Sequence, residues 1–210
     1  MQPSGRVQVE FKNRLAAAWG KFHQHKNWMT NKDIALYYRL RMFNAFVTPT
    51  IIYALIVLPL GRHDLQKLDI ERRKMLRLVV GWQRIPDEPW EDTMRRMTMR
   101  CNHALSIFPI ATWSGCVFRN QWRFVKHVTR KKKNHWMFFL AQWTPEYDEH
   151  GTDIPYRRPG RPRLRWDDEL HAFCEERLSL GHWCYLEHWS RDQIDAQEDR
   201  YVQYCNDKLG

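Results

Sequence analysis

The sequence lacks the motifs that would assign it to a familiar class of enzyme. It contains no phosphate-binding loop, no glycine-rich nucleotide-binding motif, no HExxH and no GxSxG, and nothing indicates a paired nucleophile and base. Its five cysteines are widely spaced and form no CxxC pair, which is typical of reduced thiols in a nuclear or cytosolic setting.

Long apolar segments are also missing. The longest apolar stretch, 47–60, has 14 residues and includes two threonines and two prolines, so it is too short to span a bilayer. The first ten residues contain no apolar core of a secretory signal. These absences predict a protein that is neither secreted nor membrane-spanning.

Positive charge and aromatic side chains are abundant. The formal net charge is +10, and 11 Trp, 8 Tyr and 10 Phe are available for a core or for stacking on bases. Residues 1–166 hold 30 bases and 13 acids, whereas residues 167–210 hold 4 bases and 11 acids. A segment of net charge +17 needs a polyanion or its own acidic tail as compensation. Nucleic acid is therefore the first predicted partner, and an anionic membrane surface is the second.

Apolar spacing predicts helices and almost no strands, hence an all-α fold. An N-cap at Thr30 is expected to open the second helix, and Pro49 is expected to interrupt it. Segment 51–58 fits either a helix or a buried strand.

Two aspartates, Asp64 and Asp167, are predicted N-caps of later helices. A basic face follows Asp64 and contains Arg72, Arg73, Lys74 and Arg77. The predicted helices before residue 106 cover 8–25, 30–48, 64–81 and 90–101.

The helix that begins at Ser114 carries the clearest functional pattern. Phe118, Trp122 and Val125 recur at helical spacing, and four bases recur one position further round, so apolar and basic stripes run side by side. Such a stripe favours phosphate contact, although a solvated amphipathic helix has the same pattern. The four bases are Arg119, Arg123, Lys126 and Arg130.

Two other segments carry possible binding chemistry. Residues 157–165 contain five arginines and two prolines, which suits an extended contact with a phosphate backbone or an exposed linker paired with the acids that follow. The adjacent carboxylates Asp167 and Asp168 could hold a divalent metal, but their position at a helix start favours capping.

A zinc site is conceivable between residues 171 and 188. The spacing lacks the two well-separated pairs of common zinc sites, so ordinary positions on Trp-rich helices are the favoured interpretation. The set comprises His171, Cys174, His182, Cys184 and His188.

Taken in order, six blocks of the sequence resemble the thumb and post-thumb region of RTE-like endonuclease–reverse transcriptase polyproteins of non-LTR retrotransposons. The resemblance extends from about residue 14 to residue 205. The blocks are AWGKF (18–22), YRLRMF (38–43), TPTIIY (48–53), RKMLR (73–77), RNQWRFVKH (119–127) and GRPRLRWDD (160–168).

The resemblance implies a part of an enzyme. In that family the endonuclease, the fingers and the palm lie upstream, and the palm binds Mg²⁺ through an aromatic-x-Asp-Asp box that has no counterpart here. The family pattern Tyr-Gly-x-Glu-x-Trp is replaced by YALIVL at 53–58, which suggests a decayed or domesticated copy or a fragment. The chain alone is therefore expected to hold no cofactor and to lack polymerase activity.

These observations predict a thumb-like helical bundle (1–105), a basic helical region (106–143), an Arg/Pro-rich linker (144–165) and a small acidic helical unit (166–210). The predicted activity is binding of RNA, DNA or their hybrid without sequence preference. A structural remnant that acts as a protein-interaction module is the alternative. The predicted phosphate contacts are Lys74, Arg77, Arg119, Arg123, Lys126 and Arg130, followed by Arg161, Arg163 and Arg165.

Overall fold

The computed structural model describes residues 3–131, 136–137 and 165–210, with side chains from residue 7 onward. The all-α class is confirmed, because every regular element in these ranges is helical. Two 3₁₀ helices, Leu55–Val57 and Trp183–His188, occur among the α-helices. The α-helices are α1 (Pro3–Thr30), α2 (Leu36–Ile52), α3 (Arg62–Gly81), α4 (Trp90–Ile107), α5 (Trp113–Thr129), α6 (Asp168–Leu178), α7 (Arg191–Asp195) and α8 (Glu198–Leu209).

Helices α1 and α2 form a hairpin around buried aromatic side chains such as Phe22 and Phe43. The predicted N-cap role of Thr30 is wrong, since Thr30 is the last residue of α1 and its hydroxyl donates to the Lys26 carbonyl at 2.9 Å. The turn uses Asn31 instead, whose side chain accepts a hydrogen bond from the Asp33 amide at 2.9 Å.

Pro49 does not interrupt α2, contrary to the sequence prediction. It lies in the last turn, and α2 continues to Ile52 because Ile51 and Ile52 are both buried in the core. The uncertain segment 51–58 is the end of α2 followed by a 3₁₀ helix, with no strand. Ala54 joins the two helices in a left-handed conformation, with φ of 63°.

Helix α3 begins at an N-cap glycine, Gly61, rather than at Asp64. The Asp64 carboxylate stands three residues further on and accepts from the Gly61 amide at 3.3 Å. Arg72 does not belong to the predicted basic face, because it is buried and donates to the Ile110 carbonyl at 2.7 Å. Asp69 accepts from the Trp113 amide at 2.8 Å, so α3 holds the first turn of α5.

Helix α4 extends to Ile107, beyond its predicted end at 101. The turn before it is fixed by Glu88, which accepts from the Arg96 guanidinium at 2.6 and 2.9 Å and from the Thr93 hydroxyl. These hydrogen bonds lower the pKa of Glu88 from 4.5 to about 2. The α3–α4 connection is therefore an ordered element of the surface.

One apolar cluster runs through the described part of the chain, from Phe11 on α1 to Cys205 on α8. Helix α5 is central to it, with Trp113 and Trp122 both fully buried. The predicted boundaries near residues 105 and 165 do not divide this cluster. Most of the predicted linker, 144–165, lies outside the described residues.

Candidate nucleic-acid interface

The four bases Arg119, Arg123, Lys126 and Arg130 are called the α5 basic stripe, and they lie beside the buried face of α5, as the spacing indicates. Phe118, Trp122 and Val125 are buried, whereas the side chains of Arg119 and Arg123 are 31% and 58% exposed. Because an α-helix has 3.6 residues per turn, bases placed one position after the apolar residues lie at the edge of the packed surface of α5. The stripe is therefore within reach of both solvent and the neighbouring helices.

Three of the four stripe residues form ion pairs with the C-terminal helices. The Arg119 guanidinium lies 3.2 Å from Glu198 and 3.0 Å from Asp199. The Arg123 guanidinium binds both carboxylate oxygens of Glu198, at 2.9 and 3.2 Å. Compensation by the chain's own acidic tail, one of the two options left open by the sequence, is thus present at these positions.

Lys126 and Arg130 complete the stripe. The Lys126 ammonium pairs with the Asp195 carboxylate. Burial, followed by the positive charges of Arg130 and Arg191, lowers the pKa of Lys126. Arg130 is exposed, and no carboxylate of the described residues lies within 4.0 Å of its guanidinium.

Apolar packing explains why these acids meet the stripe. The Trp122 indole nitrogen donates to the Ile194 carbonyl at 3.0 Å, and the Tyr201 ring stacks on Trp122 with centroids 5.3 Å apart. Gly115 leaves room for the capping Thr112 hydroxyl, which would lie 2.8 Å from a Cβ there, and Val202 of α8 lies at an ordinary contact distance of 3.9 Å from the same position. The acidic side chains are therefore held at α5 by a core as well as by charge.

A second basic surface lies where α3 packs against α4. It is defined by Arg73, Arg77 and Arg100 and is called the α3–α4 arginine patch. Arg73 and Arg77 share a helix face at i and i+4, and the Arg77 guanidinium donates to the Thr98 hydroxyl on α4 at 3.4 Å. Arg100, two residues beyond Thr98, is exposed.

The charge of this patch is not compensated locally. Within the part of the chain that the structure describes, no carboxylate lies within 4.0 Å of any of the three guanidiniums. Among the described residues, Arg73 donates only to the Asp69 backbone carbonyl, at 3.3 Å. Burial raises the pKa of the Cys101 thiol, and the charges of Arg77 and Arg100 oppose that rise, which places both guanidiniums near this thiol.

The remaining predicted contacts are engaged or lie elsewhere. The Lys74 ammonium is 2.8 Å from Glu71, which also accepts from the Trp19 indole at 3.1 Å. The Arg165 guanidinium is 3.6 Å from Asp167. Arg161 and Arg163 lie outside the described residues.

The contacts predicted from the sequence include neither Arg73 nor Arg100. One signal pointed to Arg100, because residues 93–145 contain no acid.

Asp167 and Asp168 serve two separate structural contacts. The sequence predicts that the Asp167 side chain caps α6, but it makes no capping hydrogen bond. Its carboxylate is buried and accepts from the Trp183 indole at 2.9 Å instead. The Asp168 carboxylate accepts from the Arg165 amide at 2.7 Å. Both carboxylates therefore fix the start of α6.

The set of residues considered as a possible zinc site is only partly brought together. The rings of His171 and His182 lie 5.1 Å apart, and His182 accepts from the Cys184 amide at 3.2 Å. Burial, more than the charge of His171, lowers the pKa of His182, and burial raises the pKa of Cys174 to about 12. His188 points to solvent. Across the described ranges, no three His, Cys, Asp or Glu side chains form a group that could hold a metal.

No protein-family model, no curated protein and no solved structure matches the chain. None of the helices described above is both long enough and apolar enough to cross a bilayer.

Proposed function

We propose that the protein binds RNA, DNA or their hybrid through phosphate contacts, without preference for a base sequence. The observation that carries this proposal is the α3–α4 arginine patch, where three guanidiniums have no carboxylate partner among the described residues. Residues 1–131 hold 23 bases and 9 acids, so the patch belongs to a body of net charge +14. Guanidinium groups bind phosphate oxygens well, and phosphate contacts carry affinity without reading sequence.

The proposal is tested by filter binding of a single-stranded oligonucleotide across a salt series. The substitutions are Arg73→Gln, Arg77→Gln and Arg100→Gln together. Loss of three phosphate contacts should lower the steepness of log affinity against log salt by about 2. The matched control removes three arginines from the acidic C-terminal helices, namely Arg177→Gln, Arg191→Gln and Arg200→Gln.

The control has the same net charge as the patch variant but keeps the patch, so it should bind almost as the natural chain does. An equal loss in both triple variants would reduce the effect to net charge. The proposal of binding through phosphate contacts would be contradicted if the natural chain did not bind at low salt, or if its affinity did not change with salt concentration.

We also propose that the chain is the thumb and post-thumb part of an RTE-like reverse transcriptase, with Mg²⁺ bound by the palm. The ordered sequence blocks support this origin. So does Ala54, whose left-handed backbone favours glycine, the residue that the family pattern has after its tyrosine. Since the palm's carboxylate box is missing, the isolated chain should not extend a primer, and primer extension would contradict the assignment.

The ion pairs of the α5 basic stripe favour a second candidate, a structural remnant that acts as a protein-interaction module. In that case the chain's own acids supply the compensation that a polyanion would otherwise give. Absence of nucleic-acid binding by the natural chain at low salt would favour this candidate.

A further inference from the structure

The ion pairs between α5 and the C-terminal helices indicate how nucleic-acid binding is regulated within the chain. We infer that Asp195, Glu198 and Asp199 mask the α5 basic stripe from phosphate, and that neutralising them exposes a second phosphate-binding surface. This inference rests on the proposed function, whose own surface is the α3–α4 arginine patch on other helices.

The carboxylates occupy the donors that a phosphate would need. Glu198 accepts from both Arg119 and Arg123, and it takes the two nitrogens of Arg123 that would face a phosphate in a bidentate contact. Asp199 takes a nitrogen of Arg119, and Asp195 takes the ammonium of Lys126. A nucleic acid at the stripe would therefore compete with three negative charges and be repelled by them.

The stripe is occupied by these acids without being buried. An open groove of about 550 Å³ runs between α5 and the acids, and the Arg123 side chain is 58% exposed at its edge. Arg130 lies in the same groove and has no carboxylate partner among the residues described. The stripe is therefore open to solvent, and burial does not keep phosphate away from it. The negative charge of the three acids opposes phosphate binding there, although each exposed ion pair is weak on its own.

The acids cannot move away easily, because apolar contacts hold their helices on α5. Tyr201 is fully buried against Trp122 and donates to the Gln121 side chain at 3.3 Å. The hydrogen bond from Trp122 to the Ile194 carbonyl fixes the residue just before Asp195. The mask is thus a set of charges on a packed surface, and it is removed by removing the charges.

The test compares two triple variants that change net charge by the same amount. The first neutralises the mask with Asp195→Asn, Glu198→Gln and Asp199→Asn. The control neutralises three exposed acids of the C-terminal helices α6, α7 and α8 that do not contact the stripe, with Glu175→Gln, Asp192→Asn and Asp207→Asn. Affinity for a single-stranded oligonucleotide is measured by filter binding from 50 mM salt upward.

The mask variant should bind about tenfold more tightly than the control at low salt, and its salt dependence should be steeper by about 2, as expected for three new phosphate contacts. Equal affinity and equal salt dependence in the two variants would overturn the mask. So would a mask variant that does not bind at all.

A second variant tests whether the gain in nucleic-acid affinity depends on the stripe. Adding Arg119→Gln, Arg123→Gln and Lys126→Gln to the mask variant should abolish the gain, and a gain that persists would overturn the inference. Circular dichroism melting verifies that each variant is folded. If the triple substitution unfolds the chain, Glu198→Gln alone replaces it, since that residue contacts both arginines, and it should bind about threefold more tightly than Glu175→Gln.

The two proposals fail in different ways. If the patch variant binds as the natural chain does while the mask variant gains affinity, the patch proposal fails and the mask stands. If the natural chain binds through the patch while the mask and control variants bind equally, the mask fails and nucleic-acid binding stands.

Discussion

Ala54 holds a backbone conformation that glycine adopts more readily. Its φ of 63° lies in the left-handed region, where a Cβ approaches the following carbonyl oxygen. The residue joins α2 to the 3₁₀ helix Leu55–Val57, and burial of Leu55 and Ile52 on either side fixes the turn. The sequence shows an alanine at this position, but only the backbone shows that its side chain carries a conformational cost.

Replacing Ala54 with glycine should stabilise the protein by about 1 kcal/mol, because relief of the left-handed strain exceeds the added freedom of the unfolded chain. Chemical denaturation measures the free energy of unfolding. The control is Ala45→Gly in the exposed middle of α2, which should destabilise by about 1 kcal/mol. Destabilisation by both substitutions would show that position 54 is not strained.

At the scale of the helices, local patterns predicted more than long-range pairings. The apolar periodicity of α5 and its basic stripe were visible in the sequence, because both follow from 3.6-residue spacing. The partners of the stripe were not visible, since Arg119 and Asp199 are 80 residues apart and many acids were available. Helix ends were also misplaced at Thr30 and Pro49, where side-chain hydrogen bonds and buried isoleucines outweighed local preference.

The docking of the C-terminal helices on α5 depends on Trp122. Trp122→Phe should destabilise the protein by about 1–3 kcal/mol, because the hydrogen bond from the indole to the Ile194 carbonyl is lost and the stack on Tyr201 becomes smaller. Hydrogen exchange should show faster opening of α8 amides in this variant. The control, Trp28→Phe at a position 63% exposed, should change stability by less than about 0.5 kcal/mol. Unchanged protection of α8 would show that this contact does not hold the helix.

Across the whole molecule, charge and core are organised differently. Residues 1–131 carry a net charge of +14 and residues 167–210 carry −7, which the sequence alone showed. The apolar cluster includes residues of both the basic and the acidic segment, because Trp122 of the first packs with Phe173 and Tyr201 of the second. Charge counts depend on composition, whereas the joining of two segments by one core depends on which side chains meet in space.

The shared core predicts a single cooperative unfolding transition. Thermal unfolding followed by far-ultraviolet circular dichroism and by tryptophan fluorescence should give coincident curves, since buried tryptophans lie on α5 and in the 3₁₀ helix Trp183–His188. Two separated transitions would instead support independent units divided near residue 105 or residue 165, as the sequence predicted.

The burial of three thiols has a practical consequence for observing this protein at work. Cys101, Cys174 and Cys205 lie on α4, α6 and α8, and burial raises the pKa of Cys174 and of Cys205 to about 12. Alkylating reagents react with the thiolate, so each of these cysteines reacts only when its helix opens to water. The chain thus carries three built-in kinetic reporters, whose labelling rates distinguish motion of the α3–α4 region from detachment of the C-terminal helices without any added probe.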